Sequence, residues 1–354
     1  MRHFRHVPGP EIRRLFHRQP EPFGDTRDRE LLAMALGATL YVPATRPGLT
    51  ETIVRRAHNG VCSMVIDLED AVADHELAQA KRRAADTLAE LGAGHEPYPL
   101  LFVRVRDPGT VREIVNRLGA DTKALTGFVF PKFDSSCAAD YLDALDTACG
   151  SLGRTVYGMP VLESPALVHR QTRDHELHTI ARLLTAHRDR VLAVRIGATD
   201  MCSTFGIRRD SERTIYDVRV VADVIADIVN YLGRSDGSGF TITGPVWEYF
   251  DVDGLLREAA LDRANGIQGK TVIHPAQVAV VHALSVVTLE EYSDALDILG
   301  TDTGGVAASE YRNKMNEMRP HRSWARRTLL RARLFGVADR GVSLTDLMKV
   351  LVEP

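Results

Sequence analysis

VYGMPVLE at 156–163 and VLAVRIGATD at 191–200 are two short apolar runs, and they end on the carboxylates Glu163 and Asp200. The polar stretch between them, 164–187, has apolar residues at the spacing of one helix face. A strand, a helix and a second strand in this order are typical of a parallel βαβ unit. We therefore expect both acids at the carboxyl ends of neighbouring strands, where two hard oxygen ligands suit Mg²⁺ and leave positions for water and substrate.

Similar apolar runs lie on both sides of this unit. They are 38–43, 63–68, 100–105, 127–132, 240–243 and 266–275. Most are separated by stretches with helical periodicity, and they are nearly continuous in apolar residues, as strands covered by helices should be. Eight such runs predict an α/β fold, a (β/α)₈ TIM barrel. No GxGxxG follows the first run and no GxxxxGK[ST] occurs, which disfavours dinucleotide-binding and P-loop folds.

The length of 354 residues fits one barrel with extensions at both ends. We expect an N-terminal extension at 1–35, a barrel domain at 36–288 and a C-terminal helical, Arg-rich extension at 289–354. The N-terminal extension would pack across the bottom of the barrel or onto a neighbouring subunit. The basic segment 319–333 is best explained as an amphipathic helix that docks on the barrel or on another subunit. A site for a phosphate-bearing substrate such as coenzyme A is the second interpretation, and RNA binding, which would lack an aromatic platform, is the third.

Bulk composition restricts the classes of partner. Hydrophobic residues make up 44% and charged residues 26%, with a net charge of −3, so a large core is expected without a general attraction to nucleic acid or anionic membranes. No apolar run is long enough to span a bilayer, and the basic N-terminus lacks the apolar segment of a secretory signal. The four cysteines show no CxxC pair. We therefore expect reduced thiols in a cytoplasmic protein, with neither nucleic acid nor membrane as a partner.

Glu163 and Asp200 are the candidate metal ligands. Either acid alone is more simply explained as a helix cap that accepts N–H bonds from the next turn. As a pair on adjacent strand ends they favour metal binding.

Three acids end the second strand, in the segment Asp67-Leu68-Glu69-Asp70. They repel one another unless a cation offsets their charge. We predict that Glu69 and Asp70 hold metal-bound waters and orient the metal. Arg104 ends the third strand, and its planar fork suits a substrate carboxylate or enolate oxygens. The alternative is a salt bridge from Arg104 to the acids, and both roles can hold together.

Other polar groups end the remaining strands. Lys132 is predicted to be an electrostatic partner rather than a Schiff-base nucleophile, because a carboxylate-rich surrounding keeps it charged. Gly197 and Ala198 leave room for substrate beside the sixth strand, and Arg208 on the same loop could meet a phosphate or an acid. His274 is a possible general base, although a structural role bonded to backbone is favoured.

Short segments recur in a fixed order over about residues 38–285. They are LYVP (40–43), IDLEDAV (66–72), VRV (103–105), FPK (130–132), LESP (162–165), IGATD (196–200) with RRD (208–210), and GKTVIHPAQV (269–278). Each is weak alone, but the ordered set is specific. It resembles the citrate lyase beta-subunit-like (HpcH/HpaI) carbon–carbon bond lyases, which include malyl-CoA lyases, and is similar to a divergent branch of them.

The resemblance implies a TIM barrel with Mg²⁺ held by Glu163 and Asp200, and a substrate carboxylate or oxyanion held by Arg104. It implies reversible Claisen or aldol chemistry, through a metal-stabilised enolate, on a 2-oxo or hydroxy acid or its CoA ester. It also implies a homo-oligomer, trimeric or hexameric, in which C-terminal elements cover a neighbour's active site. The family's C-terminal Gly-Asp-type motif, which carries a catalytic Asp, has no match after Leu299.

Three functions remain open at this point. The first and favoured is a Mg²⁺-dependent carbon–carbon lyase. The second is a class II-type aldolase that joins a free 2-oxo acid to an aldehyde without CoA. The third is a non-catalytic barrel subunit that uses the Arg-rich segment as a contact surface.

Overall fold

Eight short parallel strands form the centre of the structure, a computed structural model that describes residues 1–24, 28–119, 123–300 and 305–352. In chain order they are β1 Ala38–Pro43, β2 Ser63–Asp67, β3 Leu100–Arg104, β4 Leu125–Phe130, β5 Tyr157–Leu162, β6 Val194–Ile196, β7 Ile242–Thr243 and β8 Lys270–Val272. From β1 to β7 each strand pairs with the next, and β8 pairs with β1. An isolated parallel bridge between Gly244, just after β7, and Lys270 of β8 closes the ring. The predicted (β/α)₈ TIM barrel is confirmed.

Helices follow every strand and cover the ring from outside. In chain order they are Leu49–His58, Leu77–Ala93, Pro108–Leu118, Ala138–Leu152, Pro165–Val168, Arg170–Ala186, Ala198–Thr204, Arg219–Leu232, Val252–Ala264 and Pro275–Ser285. Short 3₁₀ turns occur at Asp74–Glu76, Arg188–Arg190 and Ile215–Asp217. Because a parallel strand buries both of its faces, this cover explains why the strand segments read as nearly continuous apolar runs.

The single helix expected within 164–187 is divided in two. His169 lies in an extended conformation between the two helices. The buried Arg173 donates from Nε to the Leu167 carbonyl at 3.0 Å and from Nη2 to the Val168 carbonyl at 2.7 Å. The interruption therefore leaves two carbonyl groups that one buried guanidinium satisfies.

The two ends of the chain meet beneath the barrel. Strand Phe16–Arg18 pairs antiparallel with Val337–Ala338. Helix Arg29–Ala35 packs against helix Arg322–Phe335, which contacts helix Leu289–Gly300 in turn. Buried side chains of the N-terminal segment, such as Phe4 and Phe23, belong to the same core cluster as Phe102 and Met159 of the barrel strands. The N-terminal segment thus packs on the chain's own barrel, while the expected division into three domains stays a prediction.

The C-terminal segment is not helical throughout. It contains an antiparallel hairpin of Val306–Ala308 and Met315–Glu317 and ends in helix Leu344–Val352, which packs on the last barrel helix. The sequence also predicts a break in the helical pattern at Gly304-Gly305, which lies partly outside the described residues. Arg331, buried on the Arg-rich helix, pairs with Glu291 at 3.1 Å. The helix therefore docks on this chain through a face that includes one of its arginines.

All four cysteines are free thiols. In the part of the chain that the structure describes, no helix is both long enough and apolar enough to pass through a bilayer.

Two histidines are buried beneath the barrel in contact with each other. The rings of His3 and His282 are 4.6 Å apart, and the His3 ring stacks on Phe335 at 4.1 Å. Burial lowers the pKa of both, well below the usual range for His3 and to about 3 for His282. The folded protein therefore keeps both imidazoles neutral at pH values where the unfolded chain takes up protons.

This histidine pair should make the folded protein less stable as the pH drops. A group with a lowered folded-state pKa binds more protons when unfolded, so stability is lost as pH drops through about 6.5. Between pH 7.5 and 5.5 His282 should remove about 1.4 kcal/mol from the free energy of unfolding. Urea unfolding at both pH values should show a pH dependence smaller by that amount in His282→Gln. The exposed His178→Gln serves as control, and equal dependence in all three proteins would contradict the prediction.

Candidate active site

A cavity of about 510 Å³ opens where the barrel strands reach their carboxyl ends. This is the face on which TIM-barrel enzymes carry their active sites. The residues predicted from sequence that line it are Asp70, Arg104, Glu163, Gly197, Ala198 and Asp200. Tyr41, Arg195 and Thr271 also line the cavity, and the sequence alone did not single them out.

The Glu163 carboxylate is fixed by backbone on both sides. It follows β5, is 4% exposed, and accepts a hydrogen bond at Oε1 from the Lys132 N–H at 2.8 Å. A Cβ added to Gly197 on the next strand would lie 1.7 Å from Oε2. Glu163 therefore does not cap the helix that follows it, and only glycine fits at position 197.

Asp200 lies in the first turn of helix Ala198–Thr204, at the wall of the same cavity. Burial first, and then the charge of Asp200, raise the pKa of Glu163 to about 8. A carboxyl whose ionisation is disfavoured by burial and by a neighbouring carboxylate, in a half-enclosed cavity, is the arrangement that a bound cation relieves.

The donor set fits magnesium. Among the described residues, no three or more His, Cys, Asp or Glu side chains are grouped to hold a metal. A cation here would take oxygens from Glu163 and Asp200 and complete its shell with water and substrate. That is how Mg²⁺ is usually bound, whereas zinc prefers a site of three or four nitrogen and sulfur ligands.

Lys132 adopts a backbone conformation that is rare for a side-chain-bearing residue. Its φ is +49°, in the left-handed region. This bend aims its N–H at Glu163, while its ammonium group pairs with Glu69 and lies 3.6 Å from Asp70. Strain of this kind persists where surrounding contacts hold it, commonly at functional sites. The side chain pairs electrostatically, as the sequence suggested, but Lys132 and Glu69 border the cavity rather than line it.

Arg104 is enclosed by three acids. Its Nε and Nη2 bind both oxygens of Asp67, at 2.6 and 2.7 Å, and Nη1 lies 2.9 Å from Glu69 and 3.2 Å from Asp70. Asp67 also accepts the N–H of Glu69 at 3.0 Å. The salt bridge considered as an alternative from the sequence is formed. Glu69 and Asp70 are thereby held by cations of the protein, and their role toward metal-bound water stays a prediction.

A second arginine, Arg106, was missed by sequence reasoning. Its Nε donates to the Leu68 carbonyl at 3.0 Å, and its guanidinium pairs with Asp74 and with the Val72 carbonyl. It therefore ties down the loop that carries the acids. In the sequence, only its position two residues after Arg104 could have indicated that Arg106 belongs to the site.

The structure does not bring Arg208 into the cavity. Arg208 is exposed and lies with Cys202 and Glu248 in a separate surface depression. Its neighbour Arg209 turns inward, where it is buried and pairs with Glu258. A substrate-binding role for Arg208 therefore stays a prediction without a supporting contact.

His274 caps a helix. It precedes Pro275–Ser285, accepts the Ala276 N–H at Nδ1 at 3.3 Å, and shares a capping box with Gln277. The structure thus shows the structural role that was favoured for this histidine.

Gly197→Ala should disrupt the metal site selectively. The new methyl group would overlap the Glu163 carboxylate and displace it from the cavity. Mg²⁺ affinity, measured by calorimetry, should fall at least about tenfold, the effect expected when the geometry of a ligand is disturbed. Gly150→Ala is the matched control, because a Cβ at this helical position meets nothing within 4 Å. Unchanged Mg²⁺ affinity in Gly197→Ala would show that Glu163 is not a ligand.

Comparison with known proteins adds independent findings. Residues 30–337 match the family model for C–C bond lyases of the TIM-barrel fold. L-malyl-CoA/beta-methylmalyl-CoA lyase of Cereibacter sphaeroides is 25% identical over 288 residues, which cover 77% of this chain and 85% of that lyase. A citrate lyase of Burkholderia xenovorans superposes with a TM-score of 0.67 at 20% identity, over 88% of this chain and 95% of that one.

A third relative is the protein CitE of Mycobacterium tuberculosis, solved with magnesium, acetoacetate and coenzyme A. It superposes with a TM-score of 0.58 at 24% identity, over 84% of this chain and 99% of that one. Since the family model spans most of the sequence, the predicted resemblance and the predicted enzyme class are both confirmed. The chain belongs to the C–C bond lyases of the TIM-barrel fold.

Proposed function

We propose that this lyase is Mg²⁺-dependent and cleaves, or in reverse forms, a carbon–carbon bond in a 2-hydroxy acid carried as a CoA thioester. The observation that carries the proposal is the Glu163 and Asp200 pair on one cavity wall at the carboxyl ends of β5 and β6. The thioester is supported by the curated relatives, which are named malyl-CoA lyases.

Magnesium held by Glu163 and Asp200 would supply Lewis-acid polarisation of substrate oxygens. In cleavage the hydroxyl group loses its proton and the adjacent carbon–carbon bond breaks, which leaves a 2-oxo acid. The electron pair of the broken bond stays with the thioester carbon chain, which takes up a proton. The Lys132 N–H orients Glu163 for this task. Arg104 and Lys132 offset the charge of Asp67, Glu69 and Asp70, so that an anionic substrate can approach this acid-rich wall.

The test is cleavage of malyl-CoA and citryl-CoA, followed by trapping the 2-oxo acid as its hydrazone, with Mg²⁺ or with EDTA. Release that requires Mg²⁺ supports the proposal. Cleavage of free hydroxy acids but not of their CoA esters would instead support the CoA-independent aldolase. Release that EDTA does not affect would overturn the metal dependence, and no release from any of these compounds would count for the non-catalytic barrel.

We also infer that the enzyme works in the cytoplasm as a homo-oligomer, a trimer or hexamer. Large apolar side chains are exposed on the loops after β6, β7 and β8: Phe205 at 42%, Phe250 at 73% and Ile273 at 43%. Ile273 also lines the cavity. An exposed apolar rim of this kind supports cover by a neighbouring subunit, and the free thiols fit a reducing compartment. Light scattering would measure the mass in solution.

A further inference from the structure

Arg195 is a buried cation without a counter-ion among the residues that the structure describes. It belongs to β6, is 1% exposed, and lines the same cavity as Glu163 and Asp200. Its Nη2 donates to Thr271 Oγ1 at 2.6 Å, and its Nη1 lies 3.9 Å from the Met159 sulfur. No acidic side chain of the described residues forms an ion pair with it.

The other buried cations of the described residues are all paired. Arg173 pairs with Asp227, Arg209 with Glu258, Lys270 with Glu258 and Asp262, and Arg331 with Glu291. Arg195 is therefore the exception within that set. An unpaired charge out of water is strongly unfavourable, and a hydroxyl and a thioether compensate little of it.

The position of Arg195 relative to the metal ligands is set by strand register. Val161 of β5 lies opposite Arg195, and Glu163 follows two residues later. Two residues of strand span roughly 7 Å, so Arg195 enters the cavity about that far beneath the carboxylate pair. The Tyr41 ring lies 5.6 Å from the Arg195 guanidinium carbon and 5.3 Å from that of Arg104. The Tyr41 ring therefore contacts both arginines.

The two arginines are in opposite electrostatic states. Arg104 is already neutralised by Asp67, Glu69 and Asp70. Arg195 has no acid paired with it among the described residues, and its planar fork suits a carboxylate held by charge-assisted hydrogen bonds. Its place on the cavity floor means that this carboxylate comes from the ligand.

We propose that Arg195 and Thr271 form a subsite for a second carboxylate of the substrate. The proposal rests on the proposed function. It specifies that the 2-oxo acid released by the lyase is a dicarboxylic acid, which has one end at the carboxylate pair and the other at Arg195.

The test uses two ligands that differ by one carboxylate, oxaloacetate and pyruvate, titrated by calorimetry with saturating Mg²⁺. Wild type should bind oxaloacetate about thirtyfold more tightly than pyruvate, the range of one hydrogen bond to a charged group. Arg195→Met should lose this preference while pyruvate affinity stays within about threefold of wild type. Arg195→Lys, which keeps the charge, should retain part of the preference.

Equal affinities in wild type, or an equal loss of both ligands in Arg195→Met, would overturn the subsite. Failure of the proposed function gives a different result, since wild type would then bind neither ligand in a Mg²⁺-dependent manner, and the subsite would fall with it. A measurement without ligand depends neither on the proposed function nor on the two ligand affinities. Without ligand, Arg195→Met should melt at or above the wild-type temperature, because it removes an uncompensated buried charge. A fall of several degrees would show that Arg195 is structural.

Discussion

Asp200→Asn should lower the rate of Mg²⁺-dependent cleavage by at least about a thousandfold. A bound metal supplies several kcal/mol of charge stabilisation, and the one remaining carboxylate does not hold the metal in place. The amide keeps the size and the neighbours of Asp200 but removes its charge, so the fold should persist. The measurement is the rate of 2-oxo acid release at saturating CoA ester.

Asp210→Asn is the matched control, because Asp210 is an exposed acid on the same loop, with 62% of its side chain accessible. It should retain the wild-type rate within about twofold, as expected for a surface charge with little coupling to the site. If Asp200→Asn cleaved as fast as Asp210→Asn, the assigned ligand pair would be wrong.

Glu163→Gln should lose the same activity and yet stabilise the metal-free protein. Burial and the charge of Asp200 raise the pKa of Glu163 from 4.5 to about 8. A carboxyl with a raised folded-state pKa binds more protons when folded, so its ionisation removes stability as pH rises from about 4.5 to 8. At pH 7 the neutral amide should therefore add about 3 kcal/mol to the free energy of unfolding, measured in urea with EDTA.

Saturating Mg²⁺ should abolish this difference, because the cation stabilises wild type and not the variant. A Glu163→Gln protein less stable than wild type in EDTA would contradict the electrostatic account of the pair.

Arg104→Met should destabilise the fold by about 3–5 kcal/mol, the range for removing one partner of a buried ion pair. Asp67, with 4% of its side chain exposed, would lose both of its guanidinium contacts, and Glu69 would lose one. Urea unfolding of Arg104→Met, Asp67→Asn and the double variant forms a cycle. The double variant should regain part of the loss, because it no longer leaves an unpaired buried carboxylate.

The exposed pair of Arg219 and Asp223 gives the control for this experiment. With 86% of the Arg219 side chain exposed, Arg219→Met should change stability by less than about 0.5 kcal/mol. A loss in Arg104→Met no larger than in Arg219→Met would show that the cluster at the end of β2 and β3 is held by other contacts.

The carboxylate pair was predictable because its position follows from local pattern alone. Glu163 directly follows an apolar run, Asp200 follows one after Gly197-Ala198-Thr199, and parallel strands bring their carboxyl ends to one face of the barrel. Arg104 was predictable for the same reason, and the acids after β2 gave its salt bridge as an alternative. Strand-end chemistry is therefore well encoded in sequence.

Arg195 was not predictable in the same way. Barrel strands bury both faces, so apolar residues run continuously and do not reveal which positions point inward. A charged residue inside such a run, as in VLAVRIGATD, was the available signal. The opposite orientations of Arg208 and Arg209 were also beyond sequence reasoning, since the buried partner of Arg209 is Glu258, 49 positions away.

The most direct test of the metal site is a titration with Mn²⁺. Oxygen sites that hold Mg²⁺ also bind Mn²⁺, and Mn²⁺ that is free in solution gives a strong electron paramagnetic resonance signal. Wild type should remove one Mn²⁺ per chain from the free signal, Mg²⁺ should displace it, and Asp200→Asn should bind none at the same concentrations. Binding by Asp200→Asn as tight as by wild type, or no binding by wild type, would contradict a metal site at Glu163 and Asp200.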